Sequence, residues 1–118
     1  MAVVSEETVR DMVDSIVREV DPERVYLFGS YARGEAREDS DVDILVVEHE
    51  PFGAERSRRR EMARLWRLLA GFGVPKDILV YSSEEVERWR RSRSHVIGHA
   101  LQEGKLLHER PGSGARSA

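Results

Sequence analysis

Residues 29–43 have the sequence Gly-Ser-Tyr-Ala-Arg-Gly-Glu-Ala-Arg-Glu-Asp-Ser-Asp-Val-Asp. An apolar run over residues 25–28 precedes this stretch and is predicted to form a short buried strand that Gly29 ends. Residues 41–47 are predicted to form a second strand, and its later part is apolar at both parities, which indicates that both faces are covered. The stretch therefore predicts two strands joined by a polar connection, with paired acids where the second strand begins.

Asp41 and Asp43 are separated by one residue in the second predicted strand. Because side chains alternate along a strand, both carboxylates are expected to point from the same face. Two neighbouring carboxylates in a largely apolar strand repel each other, and a divalent cation with oxygen ligands, such as Mg²⁺, would relieve that repulsion. The alternative is structural, with Asp41 as a turn residue and Asp43 at an exposed strand end.

Gly29 and Ser30 favour the functional alternative. A strand that ends in Gly-Ser and opens a short helical turn exposes backbone N–H groups and a hydroxyl, which suits a triphosphate. Gly29 lets the chain turn and lets a phosphate approach the backbone. Arg33 follows about one helical turn later, where it either meets phosphate oxygens or pairs with an acid, and Gly34 is expected to end the turn.

The segments on either side show helical and strand patterns. Apolar residues at helical spacing predict a helix that Ser5 caps and Asp21-Pro22 ends. Further helices are predicted over residues 55–70, from the capping box Ser82–Glu85 onward, and over residues 96–101, with a third strand over residues 77–81. This order predicts an α/β or α+β fold, with a small mixed sheet and helices packed on it.

The composition indicates one charge-rich domain. The 118 residues, with a net charge of −3, fit a single domain over residues 1–109, followed by a tail, residues 110–118, whose Pro, Gly and Ser content predicts disorder. The absence of cysteine excludes disulfides and thiolate metal sites and favours a cytoplasmic location. No apolar run approaches the roughly 18 residues of a membrane span, and the first residues lack an apolar signal core.

The spacing of Gly29-Ser30, ten residues, then Asp41-Val42-Asp43 resembles the signature of the DNA polymerase β-like nucleotidyltransferase superfamily. The longer pattern, which includes Ala32-Arg33-Gly34 and Ser40, is similar to its minimal nucleotidyltransferase (MNT) branch. The similarity extends over most of residues 5–109, including the closing residues 103–107. It implies a nucleotidyltransferase fold.

The resemblance also implies a chemistry. Two Mg²⁺ ions would be held by Asp41, Asp43 and a third carboxylate, for which Asp77 is the best match; Asp77 is otherwise a simple strand-start residue. Gly29 and Ser30 would hold the β- and γ-phosphates of ATP. Arg33 and Ser40 complete the implied nucleotide-binding set, which comprises residues 29, 30, 33 and 40. The implied reaction moves AMP from ATP to an acceptor hydroxyl and releases pyrophosphate.

The acceptor is implied only by family analogy. Minimal members are often paired with a helical HEPN toxin, and some silence it by adenylylating a tyrosine, so the chain is expected to be the antitoxin of such a pair. Transfer to a small molecule or an RNA 3′ end, a non-catalytic antitoxin that occludes its partner, and a homo-oligomer stay open. The arginine-rich residues 56–67 and 88–93 would attract RNA phosphates. Binding of RNA bases also needs exposed aromatic rings, and the two tryptophans in these segments, Trp66 and Trp89, fit core positions. Nucleic acid is therefore not the favoured partner.

Overall fold

The computed structural model describes residues 3–111, in which a four-stranded sheet carries helices on both faces. The strands are β1 (Arg24–Phe28), β2 (Val42–Glu48), β3 (Lys76–Ser82) and β4 (Lys105–Glu109). The helices are α1 (Glu6–Val20), α2 (Gly29–Arg33), α3 (Arg58–Leu69), α4 (Ser83–Trp89) and α5 (Val96–Glu103), and a 3-10 turn, Ala70–Phe72, follows α3. The mixed α/β architecture predicted from the sequence is confirmed.

Strand β2 lies inside the sheet, whose strand order is β3-β2-β1-β4. It pairs antiparallel with β1 and parallel with β3, and α3 provides the connection that a parallel pair requires. Strand β4 pairs antiparallel with the other side of β1. The end of β1 and the starts of β2 and β3 consequently meet at one end of the sheet.

Strand β2 contributes side chains to two separate apolar clusters. Ile44 and Val46 belong to the cluster that contains α1 and α3, whereas Leu45 and Val47 belong to the smaller cluster that contains α4 and α5. Because side chains alternate along the strand, Asp43 lies on the face of the smaller cluster. The fully buried side chains that complete the larger cluster include Met12, Ile16, Val25, Leu65, Leu69, Ile78 and Val80.

The predicted helix caps are present. The Ser5 side chain accepts a hydrogen bond from the Thr8 N–H at 3.1 Å at the start of α1. At the start of α4, the Ser82 hydroxyl accepts from the Glu85 N–H at 3.2 Å, and the Glu85 carboxylate accepts from the Ser82 N–H at 2.9 Å. These bonds satisfy N–H groups that a helix terminus leaves without partners.

Strand β4 is an element that the apolar pattern did not predict. Its residues are exposed or only partly buried, and its two leucines, Leu106 and Leu107, are adjacent instead of alternating. It forms by pairing with β1, which lies about 80 residues earlier in the chain, and a local pattern does not report such a contact.

The core positions expected for Trp66 and Trp89 are wrong. Trp66 is 47% exposed and Trp89 is 39% exposed. On α3 the buried position is the neighbouring Leu65, and the Trp66 ring lies under the Lys76 ammonium, with Nζ 4.1 Å from the ring centroid. Trp89 instead stacks on the His95 ring, with the two ring centroids 4.6 Å apart.

The chain remains bonded to the sheet at Arg110, whose backbone N–H donates to the Glu23 carbonyl at 2.8 Å. Residues 112–118 lie outside the described residues, so the limits 1–109 and 110–118 for domain and disordered tail stay predictions. None of the helices within residues 3–111 has the length and apolar character needed to cross a bilayer.

A buried pair of carboxylates lies where β2 ends and α3 begins. Glu48 and Glu61 are both buried and share Arg56 as an ion-pair partner. Burial raises the pKa of Glu48 to about 8, the neighbouring Glu61 carboxylate adds to this effect, and Arg56 opposes it. The Glu48 Oε2 atom is buried and has no hydrogen-bond partner within residues 3–111.

Replacing Glu48 with Gln is expected to stabilise the protein increasingly as the pH rises. Because the pKa of Glu48 is raised in the folded chain, the neutral carboxyl group favours folding over the charged one. This contribution to the free energy of unfolding is full below about pH 4.5 and is lost as the pH rises through about 8. Gln stays neutral, so between about pH 5 and pH 9 Glu48→Gln should lose less unfolding free energy than the wild type, by at least about 1 kcal/mol. Urea unfolding at both pH values measures this difference.

The matched control is Glu50→Gln, since Glu50 is exposed two residues later. This variant should follow the pH dependence of the wild type. Parallel curves for Glu48→Gln and the wild type would contradict the raised pKa.

Candidate active site

Three aspartates meet at the end of the sheet where β2 and β3 begin. Asp43 and Asp77 are direct neighbours in the parallel register of these strands, so their side chains share one face. Asp41 lies just before β2, and both Asp41 and Asp77 are exposed, whereas Asp43 is partly buried. On the other side of β2, Asp43 is paired with Phe28, the last residue of β1. The sheet register therefore brings Asp43 and Asp77 together, and Asp41 lies near enough for its charge to raise the pKa of Asp43.

Gly29 directly contacts the Asp43 carboxylate. A Cβ atom built on Gly29 would lie 2.1 Å from Asp43 Oδ2, far inside any permitted contact. The backbone of Gly29 also has a φ of +72°, which a side chain would strain. Two independent requirements therefore exclude a side chain at this position, where β1 turns into α2.

Asp43 carries an unfavourable charge in this setting. The pKa of Asp43 is raised to about 6, mainly by burial and then by the negative charges of Asp77 and Asp41, while Arg33 acts in the lowering direction. Glu103, at the end of α5, also contributes in the raising direction. The folded chain thus assembles negative charge that a bound cation would neutralise.

The donor set fits Mg²⁺. The groups are carboxylate oxygens, which are the protein ligands that Mg²⁺ prefers. Within residues 3–111, no three Asp, Glu or His side chains lie close enough to enclose an ion by themselves. This arrangement suits Mg²⁺, which commonly binds through one or two carboxylates and takes further ligands from substrate phosphates and water.

The other predicted nucleotide-binding residues surround the same turn. Ser30 is the second residue of α2, directly after Gly29, and Gly34 ends α2 in the left-handed conformation, as predicted. The Ser40 hydroxyl accepts a hydrogen bond from the Arg37 N–H at 2.8 Å, so in this structure it stabilises the turn before β2. The roles of these residues in binding a nucleotide stay predictions.

Arg33 pairs with acids, one of the two alternatives left open by the sequence. Its Nε donates to Glu35 at 2.8 Å and its Nη1 donates to Glu103 at 3.2 Å. Glu103 was not predicted as a site residue, although it lies in the closing segment that resembles the MNT family. The structure adds it because α5 ends beside α2, a contact between residues 70 positions apart.

A family model described as a nucleotidyltransferase domain matches residues 7–108. The chain belongs to the nucleotidyltransferase domain family. The match spans all of the site and nearly all of the described fold. It confirms the family resemblance, the fold class and the enzyme class predicted from the sequence.

Two curated relatives of this nucleotidyltransferase come from Methanocaldococcus jannaschii, and both are provisionally named as protein adenylyltransferases. One is 33% identical over 88 residues, which is 72% of this chain and 77% of the relative. The other is 36% identical over 58 residues, 49% of this chain, and the matched part spans only 54% of the relative. The similarity to the second relative therefore concerns about half of each protein.

Three solved structures show the same fold. One, provisionally described as a minimal nucleotidyltransferase, is 33% identical, with a TM-score of 0.57 over 89% of this chain and 98% of that chain. The second is a toxin–antitoxin complex with AMP-PNP (23% identity, TM-score 0.56, 86% and 74% of the two chains). The third contains a tri-AMPylated HEPN toxin from Shewanella oneidensis with its MNT antitoxin (21% identity, TM-score 0.51, 90% and 76%).

Gly29→Ala is expected to destabilise this nucleotidyltransferase more than Gly34→Ala. The two glycines have nearly equal positive φ values, +72° and +73°, but a Cβ on Gly34 would meet nothing within 4 Å. The backbone strain should therefore cost each variant about 1–2 kcal/mol. Gly29→Ala should lose at least about 1 kcal/mol more, because its Cβ displaces the Asp43 carboxylate. Urea unfolding of both variants measures the difference, and equal losses would contradict the contact between Gly29 and Asp43.

Proposed function

We propose that this chain transfers AMP from Mg²⁺-bound ATP to an acceptor hydroxyl and releases pyrophosphate. The observation that carries the proposal is the placement of Asp43 beside Asp77 and against Gly29. One end of the sheet thereby combines carboxylates suited to a metal ion with a backbone turn that has no side chain in the way. This combination suits phosphoryl chemistry, which needs positioning and charge stabilisation more than reactive side chains.

Each residue has a distinct role in the proposed reaction. Asp41 and Asp43 would hold both Mg²⁺ ions, and Asp77 would hold the one nearer the acceptor. When bound, the ions supply charge neutralisation at the phosphates and a more acidic acceptor hydroxyl. Gly29 and Ser30 bind the β- and γ-phosphates, which places the α-phosphorus for in-line attack. Asp77, the exposed carboxylate on β3, accepts the proton of the acceptor hydroxyl.

The proposed acceptor is a tyrosine of a HEPN toxin, with this chain as its cytoplasmic antitoxin. Support comes from the fold neighbours, among which an MNT antitoxin is found with an AMPylated HEPN toxin, and from the names of the curated relatives. The chemistry is compatible, because a phenol hydroxyl can approach the exposed Asp77 from solvent. The partner would supply the acceptor-binding surface.

Asp43→Asn and Asp77→Asn should each reduce AMP transfer about a thousandfold or more, because each removes a proposed metal-binding charge. The assay combines the chain, a candidate HEPN toxin, Mg²⁺ and ATP labelled on the α-phosphate. Asp39→Asn is the matched control, since Asp39 is an exposed turn acid in the same segment and should leave the rate unchanged.

The same variants separate catalysis from occlusion. If Asp43→Asn still neutralises the toxin without labelling it, the chain acts by covering its partner. If wild-type chain binds ATP yet labels no residue of the toxin, a HEPN tyrosine is not the acceptor.

A second candidate acceptor is single-stranded RNA, and the exposure of Trp89 favours it. Trp89 stacks on His95 with an angle of 12° between the rings and remains 39% exposed. The neighbouring Arg91 and Arg93 are exposed and form no ion pair within the described residues 3–111. Aromatic rings beside unpaired arginines are a common way to bind bases and phosphates.

Trp89→Ala and Trp66→Ala distinguish this candidate. An RNA acceptor requires Trp89→Ala to weaken binding of a fluorescent RNA 12-mer about tenfold, because one base loses its stacking partner. Trp66→Ala should have little effect, since Lys76 already covers its ring. The HEPN proposal expects weak binding that neither variant changes. Fluorescence anisotropy over a salt series measures both variants, and a flat salt response would exclude the RNA candidate.

A further inference from the structure

Glu103 occupies a position that local electrostatics disfavours. It is the last residue of α5, where the partial negative charge of a helix C-terminus repels a carboxylate. The last turn of α5 contains no basic residue to compensate. Glu103 also lies near enough to the aspartates to raise the pKa of Asp43. A charge kept where folding disfavours it indicates a functional requirement.

The backbone fixes Glu103 at this place. The next residue, Gly104, approaches the chain so closely that a Cβ would lie 2.2 Å from the Ala100 carbonyl oxygen and 3.2 Å from the Leu27 carbonyl oxygen. Leu27 belongs to β1, two residues before Gly29. The end of α5 is therefore held against the end of β1, and the Glu103 carboxylate reaches Arg33 at the end of α2.

Two of the three guanidinium nitrogens of Arg33 are held by carboxylates. Its Nε donates to Glu35 and its Nη1 donates to Glu103, while Nη2 has no hydrogen-bond partner within residues 3–111. The positive charge of Arg33 lowers the pKa of Asp43, so Arg33 and the aspartates share one electrostatic environment. The arrangement leaves one charged donor free and restricts the orientation of the other two nitrogens.

We propose that Glu103 is a positioning residue, which holds Arg33 so that its Nη2 donates to the triphosphate of the bound nucleotide. The inference rests on the proposed nucleotide-binding function of the same site. Glu103 acts through Arg33 and does not itself touch the nucleotide. Pre-orienting a donor reduces the entropy lost when the ligand binds, so the effect of Glu103 should appear in nucleotide affinity.

The test measures binding of a fluorescent non-hydrolysable ATP analogue to the full chain, with Mg²⁺ and with EDTA. Glu103→Ala should weaken binding about tenfold in both conditions, because the contact it supports is with phosphate and not with the ion. Glu103→Asp should retain part of the affinity. Arg33→Ala should weaken binding at least as much as Glu103→Ala, and adding Glu103→Ala to Arg33→Ala should cause no further loss.

Glu84→Ala is the matched control, because Glu84 is also an exposed helical glutamate with an arginine partner. Its Oε1 atom lies 3.6 Å from Arg88 Nη2, on α4 instead of α5. It should bind the analogue as the wild type does. Circular dichroism verifies that each variant is folded, and Glu103→Gln, which keeps the shape of the side chain, should also weaken binding.

Three outcomes would overturn the proposal: wild-type affinity in Glu103→Ala, a full additional loss in the Arg33→Ala background, or an effect confined to Mg²⁺. A wild-type chain that binds no analogue would refute the proposed function as well.

Discussion

The contact between Gly29 and the Asp43 carboxylate is the constraint on which the site depends. A Cβ on Gly29 would lie 2.1 Å from Asp43 Oδ2, so the turn after β1 can approach β2 only without a side chain. The approach places the turn directly beside the Asp43 carboxylate. Since Asp43 is also in register with Asp77, one contact places the turn, the strand start and the third acid together. The arrangement of the candidate site is thus a consequence of strand pairing and not of a separate loop.

Alternation along β2 makes this placement robust. The same strand supplies Ile44 and Val46 to one apolar cluster and Leu45 and Val47 to the other. A slip of one residue would exchange every side chain between the faces and would move Asp43 into the larger apolar cluster, which contains α1 and α3. Burying an unpaired carboxylate there costs several kcal/mol, on the order of the stability of a small domain. The apolar residues of β2 therefore determine where its acid points.

Local sequence patterns predicted those parts of the fold and of the site that depend on near neighbours. The strands around residues 25–28 and 41–47, the cap at Ser5 and the capping box at Ser82 follow from such patterns, and so does the proximity of Gly29 to Asp43 within one short segment. Strand β4 and the bond between Arg33 and Glu103 depend on contacts between distant segments. Spacing alone also placed Trp89 in the core, although its ring stacks on His95 at the surface.

The charge balance of the site explains how so small a chain can serve a phosphoryl-transfer reaction. Arg33 faces several acids at this end of the sheet: it binds Glu35 and Glu103, and it lowers the pKa of Asp43. Burial, and after it the repulsion from Asp77 and Asp41, raises the pKa of Asp43, and a bound metal ion would favour the charged form of this carboxylate. Metal binding and stability are then coupled, because the ion brings positive charge to a site whose acids repel one another. In the proposed reaction such a domain mainly has to provide geometry, since a bound ion would supply the electrostatic stabilisation and a partner would supply the acceptor.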